Sequence, residues 1–157
     1  LDSAFPLVCH SPAHLERETS WCEPSRTELV LSALDTRLIH ESTKEHFALW
    51  AARNHPEKGL GHARIWAHAA GIPLVVMHDQ PREHVLEAMS RAEMLVHLPT
   101  TFASEERTIV EAVLSGCRVH TNSNAGITSY ERWIDKAWLK AEVDAAGRRF
   151  WDAVLNP

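Results

Sequence analysis

Cysteine is scarce. The three present, Cys9, Cys22 and Cys117, form an odd set without paired spacing. That excludes a disulfide-stapled framework and fits a reducing compartment, so the cytoplasm is the expected location. Long apolar runs are also lacking: no stretch approaches the roughly 20 apolar residues needed to span a bilayer. No secretory h-region is present, and a chain that begins at Leu1 without Met reads as trimmed or excised from something longer. There is no excess of basic charge either. A formal net charge of -5 gives no broad attraction for nucleic acid or anionic lipid, so any phosphate must be held locally. With 45% hydrophobic and 24% charged residues, neither disorder nor a membrane class is indicated. A length of 157 residues suits one domain with a sizeable core and is short for two.

Histidine, by contrast, is plentiful, with 11 in the chain. Cys9, His10, His14 and Cys22 have metal-ligand types, but C-H-x3-H followed by a lone Cys matches no standard zinc spacing, and no metal is expected. Along the chain, short apolar runs alternate with helical periodicity. Pro6 to Cys9 is strand-like, Ser11-Pro12 opens a helix, and Glu28 to Leu31 reads as a strand with Ala33 to Asp35 as its exit. Phe47 to Ala52 makes an apolar strand, Arg53 to Gly59 a loop broken by Pro56, and Leu60, Ala63, Ala67 and Ala70 recur at helical spacing. Leu74 to Met77 is a buried strand, followed by a turn over Asp79, Gln80 and Pro81 and a helix with Val85, Leu86, Met89 and Ala92 on one face. Met94 to Leu98 and Cys117 to His120 are strands on either side of a helix starting near Glu105, with Ser104 as its expected N-cap. From Ser129 onward the chain reads as helix, which Gly147 divides in two.

This alternation predicts a three-layer α/β domain with a mainly parallel, Rossmann-like sheet of four or five strands. In such sheets ligands sit outside the carboxyl ends of the strands, and anions dock on exposed helix N-termini. Two stretches carry chemistry of that kind. Arg53, followed five residues on by Lys58 and then Gly59, places two cations at the mouth of a strand, where they either neutralise a diphosphate or stay solvated. In the second stretch the amides near Arg107 and Thr108 are free for phosphate, and the mid-helix Glu111 is either solvated or an acceptor for ribose or sugar hydroxyls. Glu105 and Glu106 favour the helix dipole and oppose an incoming anion; as ordinary helix-start acids they are expected to face water.

Taken together, Arg53, Lys58 and Gly59, then Arg107, Thr108, Ile109, Val110, Glu111 and Ala112, then Gly116, Cys117, Val119, Asn122 and Gly126, resemble the nucleotide-sugar signature of retaining GT-B glycosyltransferases of the glycogen-synthase-like superfamily. The family pattern is a Glu, seven residues, a second Glu followed by Ala, a Gly before a strand and a Gly in the next loop. Glu111 matches the second Glu; the first falls at Ala103, which breaks the pair and bears on hexose binding and catalysis. The resemblance spans residues 27–155 and implies one half of a GT-B architecture, the half that binds the donor. Residues 1–26 would then be a lead-in from a missing N-terminal acceptor-binding domain or partner chain, and 129–157 the C-terminal helices. The domain looks trimmed by about one strand-helix unit. The resemblance implies Arg53 and Lys58 as the cations stabilising the leaving group. Gly59, Arg107, Thr108 and Glu111 complete the donor-nucleotide site, His78 and Asp79 are base contacts, and a shifted loop would bring one of Glu105 and Glu106 into the sugar-contact role of the absent first Glu. It implies a nucleotide-diphospho-sugar as donor substrate, no cofactor, and little transfer by this chain alone. A different class of function also fits: a catalytically degenerate nucleotide-binding or protein-interaction module whose aromatic C-terminal helix docks a partner. A sugar-nucleotide epimerase or phosphorylase of the same architecture is a third reading, and no pyridoxal-type lysine supports the phosphorylase.

Overall fold

The computed structural model describes residues 6–21 and 24–155, so Cys22 lies outside the described residues. The elements run β1 (Leu7–Cys9), α1 (Pro12–Thr19), β2 (Thr27–Leu29), β3 (Glu45–Ala52), α2 (Leu60–Ala70), β4 (Leu74–His78), α3 (Arg82–Arg91), β5 (Ala92–Val96), α4 (Arg107–Leu114), β6 (Arg118–His120) and α5 (Lys136–Leu155). β3, β4, β5 and β6 form a parallel sheet in the order β4-β3-β5-β6, and β1 pairs with β2 in a separate parallel ladder.

β3 is the organising strand. A central parallel strand is covered on both faces, which is why its sequence is a near-continuous apolar run. Leu49 and Ala51 point to one side, where α3, α4 and α5 supply Met89, Ile109, Val110 and Leu139. Ala48 and Trp50 point to the other, against Ala63 and Trp66 of α2. Each large side chain fully buried in this way stabilises the fold by roughly 1.5–3 kcal/mol. The placement of the helices obeys crossover handedness. The step from β3 to β4 moves outward with α2 on one face. The steps from β4 over to β5, and from β5 to β6, run the other way with α3 and α4 on the opposite face. A single crossover hand requires that pairing of direction with face. The result is a three-layer, Rossmann-like domain whose strand order reverses between β3 and β5.

Lys44 closes the helical layer from below. Its Nζ donates to Ser115 O at 2.6 Å, Ser90 O at 2.8 Å and Met89 O at 3.4 Å, satisfying carbonyls at the ends of α3 and α4.

Two expectations about helices are corrected. The segment from Ser129 is not helical throughout: Gly126–Ser129 is a 3-10 turn, and regular helix starts only at Lys136. Asp135 sets that start, its carboxylate accepting the Trp138 N–H at 3.0 Å. Gly147 does not divide the helix, since α5 continues unbroken to Leu155. The reason is packing: Leu139, Val143, Ala146 and Ala153 keep one buried stripe running past Gly147. That burial outweighs the ~1 kcal/mol a mid-helix glycine costs.

Candidate functional site

The carboxyl ends of the parallel strands converge on one cleft of about 630 Å³. His10 and Ser32 reach it from just beyond β1 and β2, Ala52 and Arg53 from the end of β3, Asp79 and Gln80 from the end of β4, and 103–106 from the loop after β5. Its place at the reversal of strand order, between β3 and β5, is where open α/β sheets bind ligands.

The Arg53–Gly59 loop is held by its own backbone. Trp50 Nε1 donates to Lys58 O at 3.1 Å, and the Thr100 N–H to Glu57 O at 2.9 Å. Gly59 adopts φ 71°, and a Cβ there would lie 1.7 Å from Leu98 O. Glycine is thus required for close packing under the β5 exit, and Gly59 does not line the cleft. Beyond β5, Pro99 O accepts from the Asn122 and Asn124 side chains at 3.0 and 2.9 Å, and the cleft residue Ala103 pairs with Ala125. Ser11 Oγ donates to Ser104 O at 2.5 Å, tying this loop to the start of α1. Residues expected as a lead-in therefore build part of the site.

Ser104 is not the N-cap of α4. Glu106 takes that position with φ 72° and ψ 78°, and no side chain caps the helix. Glu106 and Asp79, at φ 54°, are the positive-φ non-glycine residues among the described residues, and both line the cleft. Such backbone costs about 1–3 kcal/mol per residue and concentrates at functional sites.

Nor do Glu105 and Glu106 face water. Glu105 is 3% exposed and accepts from Ser32 N at 2.9 Å and Ser32 Oγ at 2.5 Å. Burial pushes its pKa up, against the opposing Ser32 hydrogen bonds. The Glu106 side chain is 8% exposed and sits 2.7 Å from Lys58 Nζ and 3.3 Å from Nε2 of the fully buried His97, the latter a close approach without hydrogen-bond alignment. Burial opposes its charge, but His97 and Lys58 outweigh burial and hold its pKa at about 2. Both acids line the cleft because the 102–106 segment turns inward to pair with groups on distant elements.

Glu111 is buried, lines the cleft, and pairs with Arg82 at 2.9 Å. Burial raises its pKa while Arg82 and Arg107 act against the rise. Arg82 was not picked out by the sequence motifs. Its signal was a cation opening the helix directly after the Asp79–Pro81 turn, at a strand's carboxyl end. Arg53, Lys58, Arg107, Thr108, Glu111, Glu105, Glu106 and Asp79 all share the cleft; His78 is outside its lining, 3.7 Å from Asp79. Among the described residues no cluster of three or more His, Cys, Asp or Glu side chains could hold a metal ion. Likewise no helix there is long and apolar enough to cross a membrane.

No family model and no curated protein matches the chain. Solved structures do. The chain is similar to AviGT4, a glycosyltransferase involved in avilamycin A biosynthesis, at 18% identity and a TM-score of 0.64. It is also similar to Anabaena Alr3699/HepE in complex with UDP and glucose, at 13% identity and a TM-score of 0.58. In each case the match covers 92% of this chain and 57% of the other. The chain has the fold of one part of a GT-B glycosyltransferase.

Proposed function

We propose that the chain is the donor-binding domain of a glycosyltransferase and holds a nucleotide-diphospho-sugar in the cleft. The observation that carries this reading is the convergence of Arg53, Arg107, Thr108 and Glu111, from two motifs far apart in sequence, on one cavity at the β3/β5 reversal. The diphosphate lies against Arg53, whose exposed guanidinium can form paired hydrogen bonds to phosphate and stabilise charge as the glycosidic bond breaks. Glu111, held by Arg82, accepts from the ribose hydroxyls. The amides opening α4 at Arg107 and Thr108 face phosphate. Glu105 and Glu106 present carboxylates to the sugar hydroxyls, and the turn at Asp79 lies along the base. Transfer itself requires an acceptor-binding partner domain, and a turnover assay of this chain alone should give little product.

Ala103 favours a second reading, a module of the same fold that binds nucleotide or protein without transfer. The exposed Phe150 and Trp151 near the end of α5 suit a protein partner.

A thermal-shift titration with UDP, GDP, ADP and TDP tests the proposal. A ligand at a hundred times its Kd adds roughly 2.7 kcal/mol, which raises Tm by about 5–10 °C for a domain of this size. One base should give that shift, and Arg53→Ala should abolish it while leaving the unliganded Tm within about 2 °C of the parent. No shift with any diphosphate or its sugar conjugates removes the donor reading and favours the module.

A further inference from the structure

The cleft holds as many carboxylates as cations, so the pairing of each cation decides which is available to a ligand. Lys58 Nζ is engaged by Glu106 at 2.7 Å, and Arg82 by Glu111 at 2.9 Å. Arg53 and Arg107 are both exposed and line the cleft, and among the described residues neither guanidinium makes a side-chain hydrogen bond or a close ion pair; Arg107 feels Glu105 and Glu111 only at longer range. The Lys58–Glu106 pair is fixed from both ends. The Lys58 carbonyl accepts from Trp50 Nε1, and the second carboxylate oxygen of Glu106 faces the buried His97 ring. A phosphate approaching Lys58 would have to displace a carboxylate that is itself held in place. A phosphate approaching Arg53 and Arg107 has no such held carboxylate to displace, and meets the charges of Glu105 and Glu111 only at longer range.

We infer that Arg53 and Arg107 form the diphosphate clamp, and that Lys58 is a positioning residue that holds the Glu106 carboxylate at the cleft wall. This departs from the Arg-and-Lys assignment that the sequence motif implies. It rests on the donor reading for the identity of the ligand and on the ion pairs for the geometry. It has a consequence that a direct Lys58–phosphate contact does not: removing the Glu106 charge frees Lys58 and removes a repulsion at once. Glu106→Gln should therefore bind pyrophosphate more tightly, by about tenfold.

The test uses the whole chain, ¹⁵N-labelled, with inorganic pyrophosphate and UDP as probes. The side-chain Nε–H signals of arginine are followed by NMR and Kd is obtained by titration. Pyrophosphate should shift the Arg53 and Arg107 signals, and Arg107→Gln should weaken it by about tenfold or more. Lys58→Gln alone should weaken binding because it leaves Glu106 unneutralised. The double variant Lys58→Gln/Glu106→Gln should bind at least as tightly as the wild type. If the double variant is as weak as Lys58→Gln, or if Arg107 does not respond to pyrophosphate in the wild type, the inference is wrong. Should Glu106→Gln not fold, the wild-type signals and Arg107→Gln decide the matter. Clamping of pyrophosphate by both arginines, with no gain from any of UDP, GDP, ADP or TDP, would support the clamp and sink the nucleotide-sugar reading instead.

Discussion

Gly59 and Gly71 offer a controlled comparison. They flank α2 with nearly the same backbone, φ 71° ψ 28° and φ 67° ψ 25°. They differ in what surrounds them. A Cβ at Gly59 would lie 1.7 Å from Leu98 O and 2.6 Å from its carbonyl carbon, whereas one at Gly71 meets nothing within 4 Å. Alanine in the left-handed region costs roughly 1–2 kcal/mol, part of which returns because alanine has less freedom than glycine in the unfolded chain. Gly71→Ala should thus lose about 1 kcal/mol. Gly59→Ala carries the same term plus an overlap with backbone, which cannot rotate away. Relieving it means pulling the start of α2 off the β5 exit, at a further 1–3 kcal/mol or more. The sum, about 3 kcal/mol or more, is a large share of a domain's ~5–15 kcal/mol. Urea unfolding followed by circular dichroism measures both, and the melts should fall by about 2–4 °C for Gly71→Ala and at least three times that for Gly59→Ala. Equal losses would refute the close-approach argument. A stable Gly59→Ala with lost diphosphate affinity would return Gly59 to the binding site.

Lys44→Met should lower stability by about 2–3 kcal/mol in the same assay, because three carbonyls at the ends of α3 and α4 lose one charged donor; a loss under about 0.5 kcal/mol would mean water replaces it freely. Glu106 gives the domain a specific acid sensitivity. Its folded pKa, about 2, lies below the ordinary 4.5, so the stability it contributes is complete above pH 4.5 and is lost as pH falls toward 2. That loss should shrink by roughly 3 kcal/mol in Glu106→Gln. Glu105 and Glu111 work in the opposite sense, since their raised pKa values make their ionisation cost stability as pH rises past 4.5. Parallel pH profiles of wild type and Glu106→Gln isolate the effect, and superimposable profiles would contradict it.

Much of the fold was legible in the sequence because it is encoded locally. The apolar run at Phe47 to Ala52, the recurrence of Leu60, Ala63, Ala67 and Ala70, and the Ser11-Pro12 opening of α1 each state their element within a few residues. β3, α2 and the Ser11 cap, which accepts the His14 N–H at 3.2 Å, are the direct result. The chain also determined which charged residues belong to strand mouths, since Arg53 directly succeeds β3 and Arg107 opens α4. What it left open was the partner of each charge. Glu105 is bound by Ser32, 73 residues away; Glu106 by Lys58, 48 away; Ser104 O by Ser11, 93 away. No periodicity or propensity records such separations. Whether a carboxylate faces water or a buried cation depends on which elements the crossovers bring together. The same holds for α5, where glycine predicts a break and the long-range burial of Leu139, Val143 and Ala153 forbids it. Local sequence selected the elements and put cations at the mouths of the strands; tertiary packing decided which of those cations pair closely with a carboxylate in the cleft and which do not.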